Sequence, residues 1–212
     1  MGLPERAAAR RRTLAGGGGG SVEPGAGAFG QGFPELLAAA KVGAPWALEA
    51  LYRELHPRVL AFMANRAPGE AEDLASEVFV SMAEGLSRFE GDEHQLRAWV
   101  FTIAHRRLVD LWRRRGRRRT EPVEPADLTG LAGEGDAEAD AVDSLSTAEA
   151  LRAIARLPAL QAEVVLLRVL ADLPVEEVAA IVGRRPGTVR VIQHRALARL
   201  ARQAQGRGGD QV

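Results

Sequence analysis

The chain has 212 residues, 46% of them apolar, and its 28 basic and 28 acidic side chains cancel. This is enough apolar sequence for one or two small domains and too little for a large catalytic domain. The sequence contains no cysteine, which excludes disulfides, thiolate zinc sites, iron–sulfur clusters and cysteine nucleophiles. No apolar run is long enough to cross a bilayer, and the first residues lack the apolar segment of a secretory signal. We therefore expect a cytoplasmic protein without direct membrane insertion.

The neutral total hides two blocks of opposite charge. Residues 101–120 carry eight arginines and one aspartate, whereas residues 121–150 carry nine acidic side chains and no lysine or arginine. Arginine supplies planar forks that bind phosphate groups. The charge pattern thus allows nucleic-acid binding despite the neutral total, and it predicts that the acidic block is a linker extended by its own repulsion.

The first half of the chain predicts a disordered tail followed by a helical bundle. Residues 1–33 are rich in glycine and poor in large apolar side chains, so ordering them would cost entropy with little burial in return. From residue 34, apolar residues recur at the spacing of helices. The predicted breaks lie at residues 43–45, at His56 and Pro57 and at residues 88–92, and the last helix runs into the arginine block. No stretch alternates with period two, so we expect no strand.

The second half predicts a flexible acidic linker, a second helical domain and a flexible end, over residues 120–147, 148–204 and 205–212. Residues 175–192 fit a helix-turn-helix, because Ala179 is small where two helices meet, Gly183 can adopt the positive φ of the turn, and Pro186 can open the next helix. Four side chains of the second helix point away from its apolar face and are of the types that read the major groove: Arg190, Val191, His194 and Arg195.

Aromatic and arginine side chains are interleaved on the helix that precedes the linker. Trp99 and Trp112 flank His105 and Arg106, and six arginines follow between Arg113 and Arg119. Stacking and phosphate neutralisation are what single-stranded DNA requires. For the tryptophans alone a core position is the favoured interpretation, whereas for the arginine run phosphate contact is favoured.

Four motifs stand in a fixed order along the chain: AEDLASEVF at 71–79, LRAWVFTIAHRRLVD at 96–110, LPALQAEVVLLR at 157–168 and GTVRVIQHRAL at 187–197. In this order and at these separations, over about residues 34–204, the chain resembles the extracytoplasmic-function group of bacterial RNA polymerase sigma factors. The resemblance implies an all-α fold of two small domains. Residues 34–119 would bind core polymerase and open the minus-ten element, and residues 148–204 would read the minus-thirty-five element.

The resemblance also implies roles for individual residues. The polymerase clamp would be contacted by Asp73, Leu74, Glu77, Val78 and Phe79. Promoter DNA near the melted strand would be held by Arg97, Trp99, His105, Arg106 and Arg113. The minus-thirty-five element would be read by Arg190, Val191, His194 and Arg195. The loop at 89–96 would capture a flipped base, although it is more acidic than expected beside DNA. The implied partners are core RNA polymerase, promoter DNA and an anti-sigma factor.

The sequence also allows two other classes of function to be considered, an enzyme and a stand-alone regulator. An enzyme would have to use Glu90, Asp92, Glu93 and His94 to bind a hard metal ion. The sequence shows no partner that would orient these side chains and no glycine-rich phosphate-binding loop. We predict no catalytic residue, metal, cofactor or small-molecule substrate. The stronger alternative is a stand-alone helix-turn-helix regulator with an N-terminal sensor or dimerisation domain, which would bind its operator without polymerase.

Overall fold

The computed structural model describes residues 29–117 and 139–208. These residues form α-helices and two short 3-10 turns and contain no strand, which confirms the all-α class. The helices are α1 (Phe33–Lys41), α2 (Pro45–Arg66), α3 (Ala71–Leu86), α4 (Glu93–Arg117), α5 (Ala139–Ala155), α6 (Ala159–Val169), α7 (Val175–Ile181) and α8 (Pro186–Gly208).

Helices α1 to α4 form the N-terminal domain. The long helix α2 packs on α3 and α4, and its buried stripe recurs every three or four residues, at Leu51, Leu55, Val59 and Phe62. The Phe62 ring meets the Phe101 ring of α4 edge to face, with centroids 5.6 Å apart. This geometry is favourable for aromatic pairs and locks α4 against α2.

The predicted break at His56 and Pro57 is wrong, because α2 continues through both residues. A proline inside a helix loses one backbone hydrogen bond and costs about 3 kcal/mol. Leu55 and Val59, on either side, are almost completely buried, and Pro57 itself lies on the exposed face. Burial of a leucine and a valine stabilises by about 1.5–3 kcal/mol each, which offsets the cost of the proline.

The bounds of the helices differ from those predicted for the tail, the linker and the C-terminal end. The tail prediction extends too far, because Phe29 and Phe33 pack together with ring centroids 6.2 Å apart; residues 1–28 lie outside the described part of the chain. Of the predicted linker, residues 120–138 lie outside the described part of the chain, and its last residues belong to α5, which begins at Ala139. Helix α8 reaches Gly208, inside the segment predicted to be flexible.

Helices α5 to α8 form the C-terminal domain, which packs directly on the N-terminal one. α2 contacts α5 and α6, α4 contacts α7, and the buried apolar residues of both domains belong to one continuous cluster. Asn65 Nδ2 of α2 donates a hydrogen bond of 2.8 Å to the Leu151 carbonyl of α5. The chain therefore adopts a closed arrangement, which the prediction of two tethered domains did not include.

Candidate DNA and polymerase interfaces

The helix-turn-helix is formed by α7 and α8. Pro174 precedes α7 in an extended conformation, and Pro186 is the first residue of α8, as predicted. Gly183 has a φ of +63°, and the next amide, Arg184 N, closes the turn on the Ala179 carbonyl at 2.9 Å. A positive φ is costly for residues with a Cβ, so the glycine at this position fixes where α7 ends.

The outer face of α8 has the geometry of a recognition surface. Val189 and Ala196 are buried against the rest of the domain, whereas Arg190, Val191, His194 and Arg195 are exposed together on the other side of the helix. Arg190 forms a 2.7 Å salt bridge with Glu176 of α7. Both side chains are mostly exposed, so the guanidinium can exchange this partner for a base edge or a phosphate.

Helix α4 carries the residues predicted for the minus-ten element, and the structure separates them into two groups. Arg106 and Arg113 are exposed, and Arg113 lies 3.6 Å from Asp110 on the same helix. Trp99 is half-buried, and His105 is mostly buried against the C-terminal domain. The arginines are therefore accessible in the closed chain, whereas His105 is not.

Arg97 lies inside the protein, in contrast to its predicted place beside DNA. Its side chain and that of Glu93 are each only 10% exposed and form a 2.9 Å salt bridge. The second oxygen of Glu93 accepts a hydrogen bond from the Phe29 amide at 3.2 Å. Arg97 thus neutralises a buried carboxylate that ties the Phe29 backbone to α4.

Most polar side chains of the acidic loop before α4 form hydrogen bonds or salt bridges within the protein. Asp92 Oδ1 accepts a bond of 2.8 Å from the Gln95 amide, and Gln95 Oε1 accepts one of 2.9 Å from the Asp92 amide. This reciprocal pair is a capping box, which the D-x-x-Q spacing at 92–95 could have predicted. Glu93 is paired with Arg97, and His94 lies 3.3 Å from Glu177. These side chains diverge, and the described residues contain no cluster of three or more metal-ligating groups.

An open cleft of about 770 Å³ separates α4 from α7. Its α4 wall includes His105, Arg106 and Arg113, and its α7 wall includes Glu177 and Ile181. The first helix of the helix-turn-helix therefore stands opposite the face of α4 that was predicted to bind DNA.

Charged groups also meet where α6 reaches α2 and α4. His105 Nδ1 and Glu163 Oε1 are 2.5 Å apart, and the side chain of Glu163 is only 6% exposed. Burial lowers the pKa of the Arg66 guanidinium, an effect opposed by the nearby Glu163 carboxylate. The Arg66 guanidinium lies 5.2 Å from the ring centroid of Trp112. No sequence pattern indicated Glu163 as a contact of either residue.

The residues predicted to face polymerase are divided between surface and core. Asp73 and Glu77 are exposed on α3, whereas Leu74 and Val78 are buried in the N-terminal domain and cannot contact a partner there. Their alternation with exposed residues follows from the helical period. Phe79 is also nearly buried, with its ring 4.8 Å from that of Tyr52.

Two exposed apolar side chains beside this cluster were missed. Tyr52 of α2 is 47% exposed, with its ring 4.8 Å from that of Phe79, and Val80, the next residue of α3, is 58% exposed. The sequence could not predict that Tyr52 and Val80 are exposed, because apolar residues at these positions are equally compatible with the core. Together with Asp73 and Glu77 they form a mixed surface, which we call the α2/α3 surface.

Comparison with known proteins identifies two families of domain. The family model of sigma-70 region 2 matches residues 51–118, and that of sigma-70 region 4 matches residues 147–200. An ECF RNA polymerase sigma factor, ShbA of Streptomyces griseus, is 36% identical over 174 residues, which cover 78% of this chain and 91% of ShbA. SigD of Mycobacterium tuberculosis, also an ECF sigma factor, is 32% identical, with 81% and 83% of the two chains covered.

Solved structures share the fold. The sigma factor RpoE in complex with the anti-sigma factor NepR from Bartonella quintana has a TM-score of 0.54 at 24% identity, covering 74% of this chain and 96% of RpoE. CnrH in complex with the cytosolic domain of CnrY has a TM-score of 0.52 at 20% identity, covering 81% and 96%. Within residues 29–117 and 139–208, no helix combines the length and the apolar character needed to span a membrane.

Proposed function

The chain belongs to the extracytoplasmic-function group of RNA polymerase sigma factors, and from its geometry we propose which surfaces carry the steps of promoter recognition. As a sigma factor it directs core polymerase to promoters and initiates transcription. The observation that carries the proposal is the exposed recognition face of α8 on a domain that matches region 4. We assign residues 34–119 to polymerase binding and the minus-ten element, and residues 148–204 to the minus-thirty-five element.

The minus-thirty-five element is read by α8 in the major groove. Arg190 and Arg195 can form paired hydrogen bonds with guanine, His194 can donate or accept at a base edge, and Val191 can contact a thymine methyl group. Glu176 holds Arg190 in the free protein, and a more favourable partner on DNA would take its place.

The minus-ten element is held by α4 and the loop before it. Arg106 and Arg113 are placed to neutralise phosphates, and Trp99 and His105 lie on the same helix. Because Arg97 is buried in a salt bridge, we assign it to holding the start of α4 rather than to touching DNA. Base capture is assigned to the loop at 89–96.

Core polymerase binds the α2/α3 surface. Asp73 and Glu77 supply the charge, and Tyr52 and Val80 supply apolar contact area. Leu74, Val78 and Phe79 support this surface from within. Binding to core polymerase places the chain in the cytoplasm. The structure of RpoE contains an anti-sigma factor, and we propose that this chain also binds an anti-sigma factor.

Reconstituted transcription tests this function. Core polymerase with the full chain should transcribe from a library of promoter fragments that core polymerase alone leaves silent, and the chain should co-purify with the core enzyme. A footprint on duplex DNA by the chain alone, with no transcript in the presence of polymerase, would instead support a stand-alone regulator. Arg190→Ala should change which library members are transcribed, whereas Asp73→Ala should reduce transcription from all of them.

A further inference from the structure

Four groups form one stack between α3 and the loop at 87–92. The ring of Phe89 stacks on the indole of Trp99, with centroids 5.2 Å apart and planes inclined by 23°. On α3, the position that faces the indole is Gly85, where a Cβ would lie 2.7 Å from Cζ2 of Trp99 and 3.0 Å from its Cη2. The indole therefore occupies space that any other residue at position 85 would fill.

The loop closes on the other side of this stack in the same manner. Gly91 has a φ of +150°, and a Cβ there would lie 3.0 Å from Cζ of Phe89 and 2.6 Å from Oε1 of Gln95. Gln95 is in turn held by its reciprocal hydrogen bonds with Asp92. A glycine thus lies at each end of the stack. Gly85 faces Trp99 and Gly91 faces Gln95, and both of these side chains belong to the first two turns of α4.

The position of the loop depends on this stack. Phe89 is the large apolar side chain of the loop; it stacks on Trp99, and both rings are partly buried against the edge of the main core. A Cβ at position 85 would have to displace the indole, because contacts below 3.0 Å are not tolerated, and Phe89 would move with it. A site that recognises a base must be held within about 0.5 Å of its productive geometry, so a shift of this size would matter.

We propose that Gly85 is a positioning residue for minus-ten recognition, which by leaving room for Trp99 seats Phe89 and sets the path of the base-capturing loop. Gly85 itself touches no DNA in this proposal. The proposal rests on the assignment of the loop to base capture. It predicts that Gly85 governs which base is accepted, and not how tightly polymerase is bound.

The test compares Gly85→Ala with Gly116→Ala in the full chain. Both glycines lie within helices, and a Cβ at Gly116 would meet no atom within 4 Å, so the second variant controls for the gain in helix propensity. Each variant is assembled with core polymerase and offered a promoter library randomised across the minus-ten element. Opened members are sequenced, and binding to core polymerase is measured separately.

We expect Gly85→Ala to reduce discrimination at one minus-ten position by about fivefold or more, with affinity for core polymerase unchanged. Gly116→Ala should leave both unchanged. Trp99→Phe removes the atoms that a Cβ would meet, so discrimination in the Gly85→Ala, Trp99→Phe double variant should be closer to wild type than the sum of the single effects. Phe89→Leu, which unseats the loop without adding atoms, should lose discrimination at the same position.

Unchanged discrimination in a folded Gly85→Ala chain would overturn the proposal, as would unchanged discrimination in Phe89→Leu or additive effects of the substitutions at positions 85 and 99. A Gly85→Ala chain that does not fold leaves Phe89→Leu to decide alone. If the wild-type holoenzyme opens no library member, the assigned function is wrong; if it does and these variants match it, only the positioning role fails.

Discussion

His105 on α4 and Glu163 on α6 are 2.5 Å apart, although 58 residues separate them in the sequence. The carboxylate is buried at the contact between the domains, where the Arg66 guanidinium lies near it. A phosphate of promoter DNA would present the same negative charge to the same side chains. In the closed chain Glu163 therefore occupies the partner position that DNA would need at His105.

Reversing this charge should open the chain. In Glu163→Lys a cation would face Arg66 and His105 at a buried site, which is strongly unfavourable unless the domains separate. We expect a larger radius of gyration and tighter binding of the free chain to single-stranded minus-ten DNA. Glu49→Lys changes the net charge equally at an exposed pair with Arg53 and serves as the control. Equal affinity and equal radius in the two variants would contradict a closing role for Glu163.

Neighbouring residues of α3 should differ in what they affect. Asp73→Ala removes an exposed carboxylate and should weaken binding to core polymerase with little change in the free energy of unfolding. Leu74→Ala opens a cavity in the core and should cost about 2–5 kcal/mol of stability. Denaturant titration of the free chains and a polymerase binding curve separate the two effects. A destabilised Asp73→Ala chain would argue against the assigned surface.

Arg97 and Arg106 carry the same charge on the same helix, but their substitution should affect different properties, stability for Arg97 and DNA binding for Arg106. Arg97→Ala leaves Glu93 buried without its salt bridge and should destabilise the fold by about 3 kcal/mol. Arg106→Ala should leave stability unchanged and lower the salt dependence of DNA binding by about one phosphate contact. Thermal unfolding and a salt series of DNA affinities check the pair. If Arg97→Ala is as stable as wild type, the buried pair is not the support described.

Alanine substitutions on the recognition face of α8 should affect sequence preference. Each of Arg190→Ala, His194→Ala and Arg195→Ala should cost about 1–3 kcal/mol and relax the preference at one position if it reads a base. A phosphate contact would weaken binding to all sequences alike. Selection of minus-thirty-five variants by the reconstituted holoenzyme distinguishes these outcomes. Unchanged preference in all three variants would remove α8 from base reading.

The local features of the fold could be predicted from the sequence. The turn of the helix-turn-helix follows from Gly183 and Pro186, which act through their own backbone geometry. The helical class follows from the spacing of apolar residues. The break predicted at Pro57 does not occur, because packing of α2 against α3 and α4 outweighs the local preference of proline to end a helix.

The candidate sites were predicted less completely, because exposure depends on tertiary contacts. Arg97 and Arg106 are the same residue type on the same helix, yet one is buried by Glu93 and the other faces solvent. Leu74 and Val78 belong to the motif that marks the polymerase surface but point into the core. The closed arrangement rests on pairs such as Asn65 with Leu151, which no periodicity connects.

The stacking of Arg66 on Trp112 supplies an optical reporter within the unlabelled chain. A guanidinium over an indole ring changes its emission, and Arg66 also senses the charge of Glu163 on the opposite domain. Withdrawal of α6 would remove that charge and alter the environment of the indole. The other two indoles, the mostly exposed Trp46 and Trp99 stacked on Phe89, contribute a background to this signal. Intrinsic fluorescence of the free chain can therefore report separation of the domains, as in the Glu163→Lys variant, without any dye attached to the protein.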